Sequence, residues 1–355
     1  MYEVDFLPVE SDSGPGSKSG DAIAIRFTVE SDGREAIVVI DSGYASIGDN
    51  MVEHISRYYG GGSVDLVIST HPDADHLNGL ATVLQELDVK ELWVHQPRRH
   101  RTDVADFSNL EALDNLLDVA KQRGVTVSEP FAGANRFEHQ LIVLGPTKVY
   151  YEELLDQHLE EERAGGSRSV AASISSAVSR VLGLAGSAIE RVLSFLPEET
   201  LTDEGETGPR NNTSTVILLQ VDGHRMLFTG DAGIPALEGA ADVYEALRGA
   251  FADAPLTFIQ VPHHGSRRNV GPTILNRMLG HPSAPHAAAV SAFISSAKAS
   301  KKHPAAGVVN AFTRRGCDVV ATEGRAICAP HLAAARPGWV SLAPLPPLDE
   351  SADDD

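Results

Sequence analysis

STHPDADHLNG, residues 69–79, sets His71, Asp73, Asp75 and His76 within six residues, directly after the β-like run Val64–Ser69. Imidazole and carboxylate are the neutral and anionic donors that divalent cations take. At positions i, i+2, i+4 and i+5 of a tight loop they can converge two by two on sites ~3.5–4 Å apart, the spacing of two-metal hydrolases. A solvated loop whose Asp residues cap a helix accounts for the same letters, so the motif needs companions.

Two other segments supply them. LFTGDAG (227–233) leaves Asp231 at the end of an apolar strand, where a lone carboxylate is costly unless paired or metal-bound. FIQVPHHGS (258–266) leaves His263 and His264 in the same position. Three strand-end acidic or His clusters in one chain point to metal-assisted hydrolysis. No nucleophile elbow surrounds the serines of NTST or HHGS.

Around these motifs the chain alternates as strands and helices do. DAIAIRF (21–27) puts Ile23, Ile25 and Phe27 on one face, and EAIVVIDSG (35–43) is a more buried run, with SDGR as the turn between them. HLNGLATVLQELD (76–88) carries Leu77, Leu80, Val83, Leu84 and Leu87 at helical spacing. KELWVHQ, HQLIVLGP, STVILLQVDGHRMLF and LTFIQV read as further strands, and IPALEGAADVYEALRGAF and PAAGVVNAFTRRG as helices. Strands fall into two groups with helices between, which suits two packed sheets flanked by helices. Residues 152–210 stand apart as a helical insertion with a Val, Ile, Leu and Phe stripe, expected to act as a lid or a homodimer contact. One hydrolase domain over 1–345 and a disordered acidic tail over 346–355 are expected.

The chain has 355 residues, 42% of them hydrophobic, enough for a sizeable core. A formal charge of −20 argues against contact-rich binding to duplex nucleic acid, which needs phosphate neutralisation by Lys and Arg. Cations at a metal site can still hold a polyanion locally. Two local basic clusters, PRRHR (97–101) and SRRN (266–269), offer a phosphate path, the second beside HHG. No apolar run is long enough for a membrane span and no signal peptide is visible, so a cytoplasmic location is expected. Cys317 and Cys328 flank a stretch that reads as a hairpin turning near Glu323-Gly324, with Cys328 opposite Val319, so both thiols are expected to stay reduced.

The order GD, DSG, THPDADHLNG, NNTS, FTGDAG, VPHHGS, HP and TEGRAI resembles the metallo-β-lactamase superfamily, most closely the metallohydrolase domain of the DNA-uptake competence protein ComEC. The likeness spans about residues 18–330 apart from the insertion. It implies an αββα sandwich with a dinuclear site at one sheet edge. His71 and Asp73 would hold one metal, Asp75 and His76 the other, and Asp231 would bridge them. His263 or His264 would complete the second site, the other contacting a phosphate. Asp75, Asp231 and His264 are the expected catalytic residues, and Asn212, Ser214, Ser266 and His303 the expected substrate contacts, with Lys301 and Lys302 beside His303.

Asp73 stands where the superfamily's commoner pattern has His, and RNNTS occupies a region where that pattern has another. The site is thereby richer in oxygen, which suits Mn²⁺ or Mg²⁺, with Zn²⁺ also open. The implied activity is that of a phosphodiesterase or nuclease acting on single-stranded nucleic acid. A small-molecule or lipid-headgroup phosphodiesterase and a partner-binding module are the rival readings.

Overall fold

The computed structural model describes residues 1–11, 18–102, 104, 109–163, 199–282 and 290–352. Two seven-stranded sheets face each other. The first runs, strand by strand, Ile327–His331, Tyr2–Phe6, Ala22–Thr28, Glu35–Ser42, Leu66–Ile68, Glu91–Trp93 and Thr126–Ser128. The second runs Cys317–Ala321, Val290–Ile294, Phe258–Gln260, His224–Phe228, Val216–Val221, Leu141–Gly145 and Asn135–Arg136. Each sheet is antiparallel on one side and parallel on the other.

The alternation seen in the sequence decides which side chains fill which layer. Ile23, Ile25 and Phe27 join Val38 and Ile40 in the core between the sheets, facing Ile217, Leu219, Met226, Phe228 and Phe258. Their neighbours Ala22, Ala24, Ile37 and Val39 point outward beneath the helices Gly48–Tyr58, Leu80–Glu86 and Leu110–Arg123. Val216, Leu218, Leu227 and Ile259 do the same under Ile234–Arg248, Pro272–Leu279 and Ala306–Arg314. Burial of both strand faces explains why Glu35–Ser42 reads as a near-continuous apolar run. The order of layers is therefore α, β, β, α, as expected.

Three local expectations are revised. The helix across 76–88 is two helices, Ala74–Leu77 and Leu80–Glu86. Gly79 between them lies so close to the Ser42 carbonyl that a Cβ there would sit 2.0 Å from its oxygen. Cys317–Ala321 and Ile327–His331 do not form a hairpin, because they lie in different sheets and the turn at Glu323-Gly324 carries the chain from one to the other. Cys328 thus faces Asp5 on the first strand, and both cysteines are free thiols. In place of a free acidic end, Glu350 bonds Arg314, Asn310 and Thr200, and Leu345 and Leu348 pack against the second helical layer.

The helix Lys148–Arg163 belongs to the body of the domain, since Tyr151, Leu155 and Leu159 enter the first helical layer. Residues 164–198, and with them the proposed helical hairpin and its homodimer contact, lie outside the described residues. Among the described residues no helix is long and apolar enough to cross a membrane.

The chain's two ends are joined by charge. Asp5, fully buried beneath the helix Gly48–Tyr58, accepts hydrogen bonds from Arg336 at both oxygens, 2.9 and 2.8 Å, and lies 3.0 Å from His54 Nε2. Burial pushes the Asp5 carboxyl upward, but His54 and Arg336 outweigh it and hold the group below its ordinary value. The stability it contributes is therefore present above the unfolded carboxyl pKa and is lost as pH falls through the lower folded value. Arg336→Ala, by leaving the buried Asp5 without its bidentate cation and with His54 and Tyr59 as partners, should cost about 3 kcal/mol in urea unfolding. A loss below about 0.5 kcal/mol, the range of an ordinary surface change, would refute this account of the junction.

Candidate metal centre

The motif residues meet because parallel strands end at one edge of the sandwich. Glu35–Ser42 leads to Asp41, Leu66–Ile68 to the 69–76 loop, His224–Phe228 to Asp231, Phe258–Gln260 to His263 and His264, and Val290–Ile294 to the loop before His303. The carboxyl ends of such strands are the usual place for a site in open α/β sheets.

Asp231 sits at the centre. Its Oδ1 is 3.4 Å from His76 Nε2 and 3.9 Å from His264 Nε2. Its Oδ2 is 3.7 Å from His71 Nε2 and 3.1 Å from His263 Nδ1. Asp73 approaches His71 Nε2 to 3.9 Å, and Asp75 lies 4.0 Å from His76 Nε2 and 3.7 Å from His264 Nε2. Among the described residues four donor groups result: His71, His76 and Asp231; Asp75, His76 and His264; Asp21, Asp41 and His76; and Asp21, Asp231 and His264; Asp73 belongs to none of them. Of the two histidines that the sequence leaves open, His264 stands with Asp75 and His76. His263 stays on the opposite side of Asp231, hydrogen-bonded by Asn211.

Whether cations fit can be judged from the atoms themselves. Nε2 of His71, His76 and His264 and Oδ1 of Asp231 are buried and have no hydrogen-bond partner among the described residues, and they point at one another. Buried polar atoms are ordinarily paired. Burial opposes the charged form of His76 and His264, yet the surrounding carboxylates, Asp231 foremost, raise His76 well above its ordinary value and His264 to about 9. Burial likewise pushes Asp75 up, but His76 and His264 hold it down at about 2. The pocket demands positive charge, which divalent ions supply in place of protons. These residues fit a dinuclear centre.

The sequence reading gives no role to the groups that hold these donors. Asp41 accepts a hydrogen bond from His76 Nδ1 at 2.8 Å and from the Thr70 backbone amide and hydroxyl at 2.8 and 2.6 Å. Thr70 Oγ1 in turn lies 3.0 Å from His71 Nδ1. One carboxylate therefore orients both imidazoles, and it does so from a left-handed backbone conformation, φ 53°, that a residue other than glycine seldom adopts. Gln260 donates to Asp21 and accepts from the amides of Thr229 and Gly230, so it ties the Asp231 turn to the first sheet. Asn269 donates to the Asp231 carbonyl. Asp21 and Asp41 stand in the quoted GD and DSG, Gln260 in FIQVPHHGS and Asn269 in SRRN, but none of the four has a role assigned from the sequence.

The expected substrate contacts separate into two kinds. Ser266 and His303 line a cleft of about 370 Å³ that opens at His263. Asn212 and Ser214 are buried and committed elsewhere, in a correction to that expectation. Asn212 binds the Gly233 amide and the Thr207 carbonyl, and Ser214 accepts from the Asp231 amide and lies 3.3 Å from His71 Nδ1. The neighbouring Asn211 lines the cleft instead. Of the basic clusters, PRRHR is spent on ion pairs with Asp114, Glu129 and Asp156.

The sequence profile of the metallo-beta-lactamase superfamily matches residues 20–279. This chain belongs to that superfamily. Its members are metal-dependent hydrolases, typically dinuclear, and this chain shares that general character. Solved structures with a similar fold include Tm1679, a metal-dependent hydrolase of the beta-lactamase superfamily, with 12% identity, 93% of this chain and 99% of that one covered and a TM-score of 0.47. A diphosphatase from the PhnP family has 12% identity, coverage of 83% and 86% and a TM-score of 0.36. ST1585 of the archaeon Sulfolobus tokodaii, a protein of the same superfamily, has 14% identity, coverage of 77% and 83% and a TM-score of 0.33. No curated protein matches in sequence.

Because Asp41 orients His76 and, through Thr70, His71, Asp41→Asn should weaken metal binding about 10–100-fold while leaving the fold intact. Competition with a chromophoric chelator measures it, with circular dichroism as the check on folding. Unaltered affinity in a folded variant would remove Asp41 from this role.

Proposed function

We propose that this protein is a two-metal phosphodiesterase that cleaves accessible, single-stranded nucleic acid. The observation that carries the phosphate part of the reading is the charge of the cleft beside the metal centre. In a chain of net charge −20 its lining includes Arg268, Lys301 and Lys302 against one carboxylate, Glu206. A site for a neutral lactam or lactone has no use for such an excess. The motif order shared with ComEC-like enzymes supports nucleic acid as the source of the phosphodiester.

His71 and Asp73 would hold one cation, Asp75, His76 and His264 the second, and Asp231 both. The chemistry that two divalent ions supply there is activation of a water nucleophile and neutralisation of charge on the phosphoryl oxygens. The protein's own groups do the rest. Asp41 and Thr70 keep Nε2 of His76 and His71 aimed inward, and the Asp231 turn is held by Ser214, Gln260 and Asn269. His263, about 29% exposed at the mouth of the cleft, is placed to meet a non-bridging oxygen of the scissile phosphate. The carboxylate-rich donor set favours Mn²⁺ or Mg²⁺, with Zn²⁺ as the alternative.

Hydrolysis of single-stranded oligonucleotides and of bis(p-nitrophenyl) phosphate, assayed with Mn²⁺, Mg²⁺ or Zn²⁺, tests the reading. Asp231→Ala and Asp75→Ala should each lower kcat/KM by several orders of magnitude, since each removes a donor to catalytic metal. Activity that survives in either variant after chelation would rule out the two-metal mechanism. Hydrolysis confined to carboxylic esters or lactones would rule out the phosphodiester.

A further inference from the structure

The cleft that His263 lines also has a cationic wall, and that wall is built. His263 and Asn211 mark the end nearest Asp231, while Arg268, Lys301 and Lys302 line it farther along the chain segments that leave the site. Both cationic segments are pinned to the site's own turns. The loop of Lys301 and Lys302 ends in an Ala305 N–H···O=C Gly265 bond of 3.0 Å, and Pro304 packs so tightly that a Cβ on Gly265 would lie 2.7 Å from the proline Cβ. Gly265, at φ 83°, can take that place because it has no side chain. Arg268 is fixed through its backbone: its carbonyl accepts the Thr207 hydroxyl at 3.1 Å, its amide donates to Ser266 Oγ at 3.3 Å, and Gly205 lies against it. The exposed cationic side chains therefore stand on short segments anchored to the turns that carry His263, His264 and Ser266.

Resting on the phosphodiesterase reading, we infer that Arg268, Lys301 and Lys302 form a subsite for a second, non-reacting phosphate of the substrate, one linkage away from the scissile phosphodiester. Two features of the charge distribution support this. The metal ions already neutralise the reacting phosphate, so cations beyond His263 are surplus to a substrate carrying one phosphate. Glu206 is the one carboxylate that lines the cleft with these three cations, so the lining carries a positive surplus despite the chain's overall negative charge. Exposed ammonium and guanidinium groups bind phosphate as salt-sensitive partners, so the subsite confers selectivity that weakens as ionic strength rises. The substrate class that follows is a phosphodiester flanked by another phosphate, as in a 5′- or 3′-phosphorylated oligonucleotide.

The test compares dithymidine monophosphate with the same dinucleotide carrying a 5′- or a 3′-phosphate. For the wild-type protein, at least one phosphorylated form should exceed the unphosphorylated one in kcat/KM by about tenfold or more, equivalent to about 1.4 kcal/mol. Which form gains identifies the side of the scissile bond that the subsite serves. The ratio should fall to about one in the R268A/K301A/K302A variant and shrink in the wild type between low and high salt. A wild-type ratio near one for both forms, or a ratio that persists in the variant, would overturn the inference. If no dinucleotide is hydrolysed, the phosphodiesterase reading fails separately. Binding of the same three dinucleotides to the metal-loaded protein, by calorimetry, then decides the subsite: phosphate-dependent affinity lost in the variant upholds it, and equal affinities refute it.

Discussion

Everything at the functional edge of this protein follows from one electrostatic constraint: carboxylates and imidazoles are gathered out of water with their ligating atoms facing one another. Asp21, Asp41 and Asp231 are each at most 3% exposed, and so are His71 and His76. Hydrogen bonds from Thr70 and Gln260 reach outer oxygens of Asp41 and Asp21, Ser214 accepts from the Asp231 amide, and the inner ligating atoms face inward with no partner among the described residues. Without cations the carboxylates force protons onto His76 and His264. Metal ions remove that conflict, so the same residues that make the site reactive also couple its order to metal binding.

The two sheets serve this constraint. Parallel strands from both halves deliver their carboxyl ends to one edge, and the backbone bends sharply there. Asp41, His263 and His264 all adopt positive φ, which for such residues is held in place only by surrounding contacts. The His263 amide bonds the Gly230 carbonyl at 3.1 Å, so the His pair and the Asp231 turn are locked together. On the first strand, the Asp5–Arg336 pair fastens the late chain segment against the first sheet.

The sequence revealed what depends on local pattern. His71, Asp73, Asp75 and His76 announce themselves by spacing, Asp231 and His264 by ending apolar strands, and the inward face of Ile23, Ile25 and Phe27 by alternation. What depends on distant neighbours was hidden. Asp41 looks like an ordinary turn residue because its partners Thr70 and His76 lie some thirty residues on. The break at Gly79 comes from the Ser42 carbonyl, and the lost hairpin at Glu323-Gly324 from a switch between sheets, neither of which leaves a local signal. Asn211 and Asn212 are adjacent and chemically identical, and only the helical turn Pro209–Asn212 decides which one faces the cleft.

The central claim is that two cations share Asp231. Anomalous diffraction from crystals grown with Mn²⁺ addresses it directly. The account predicts two peaks ~3.5–4 Å apart, one beside His71 and Asp73, the other beside Asp75, His76 and His264, with Asp231 touching both. A single peak, or peaks that leave Asp231 uncoordinated, would contradict it.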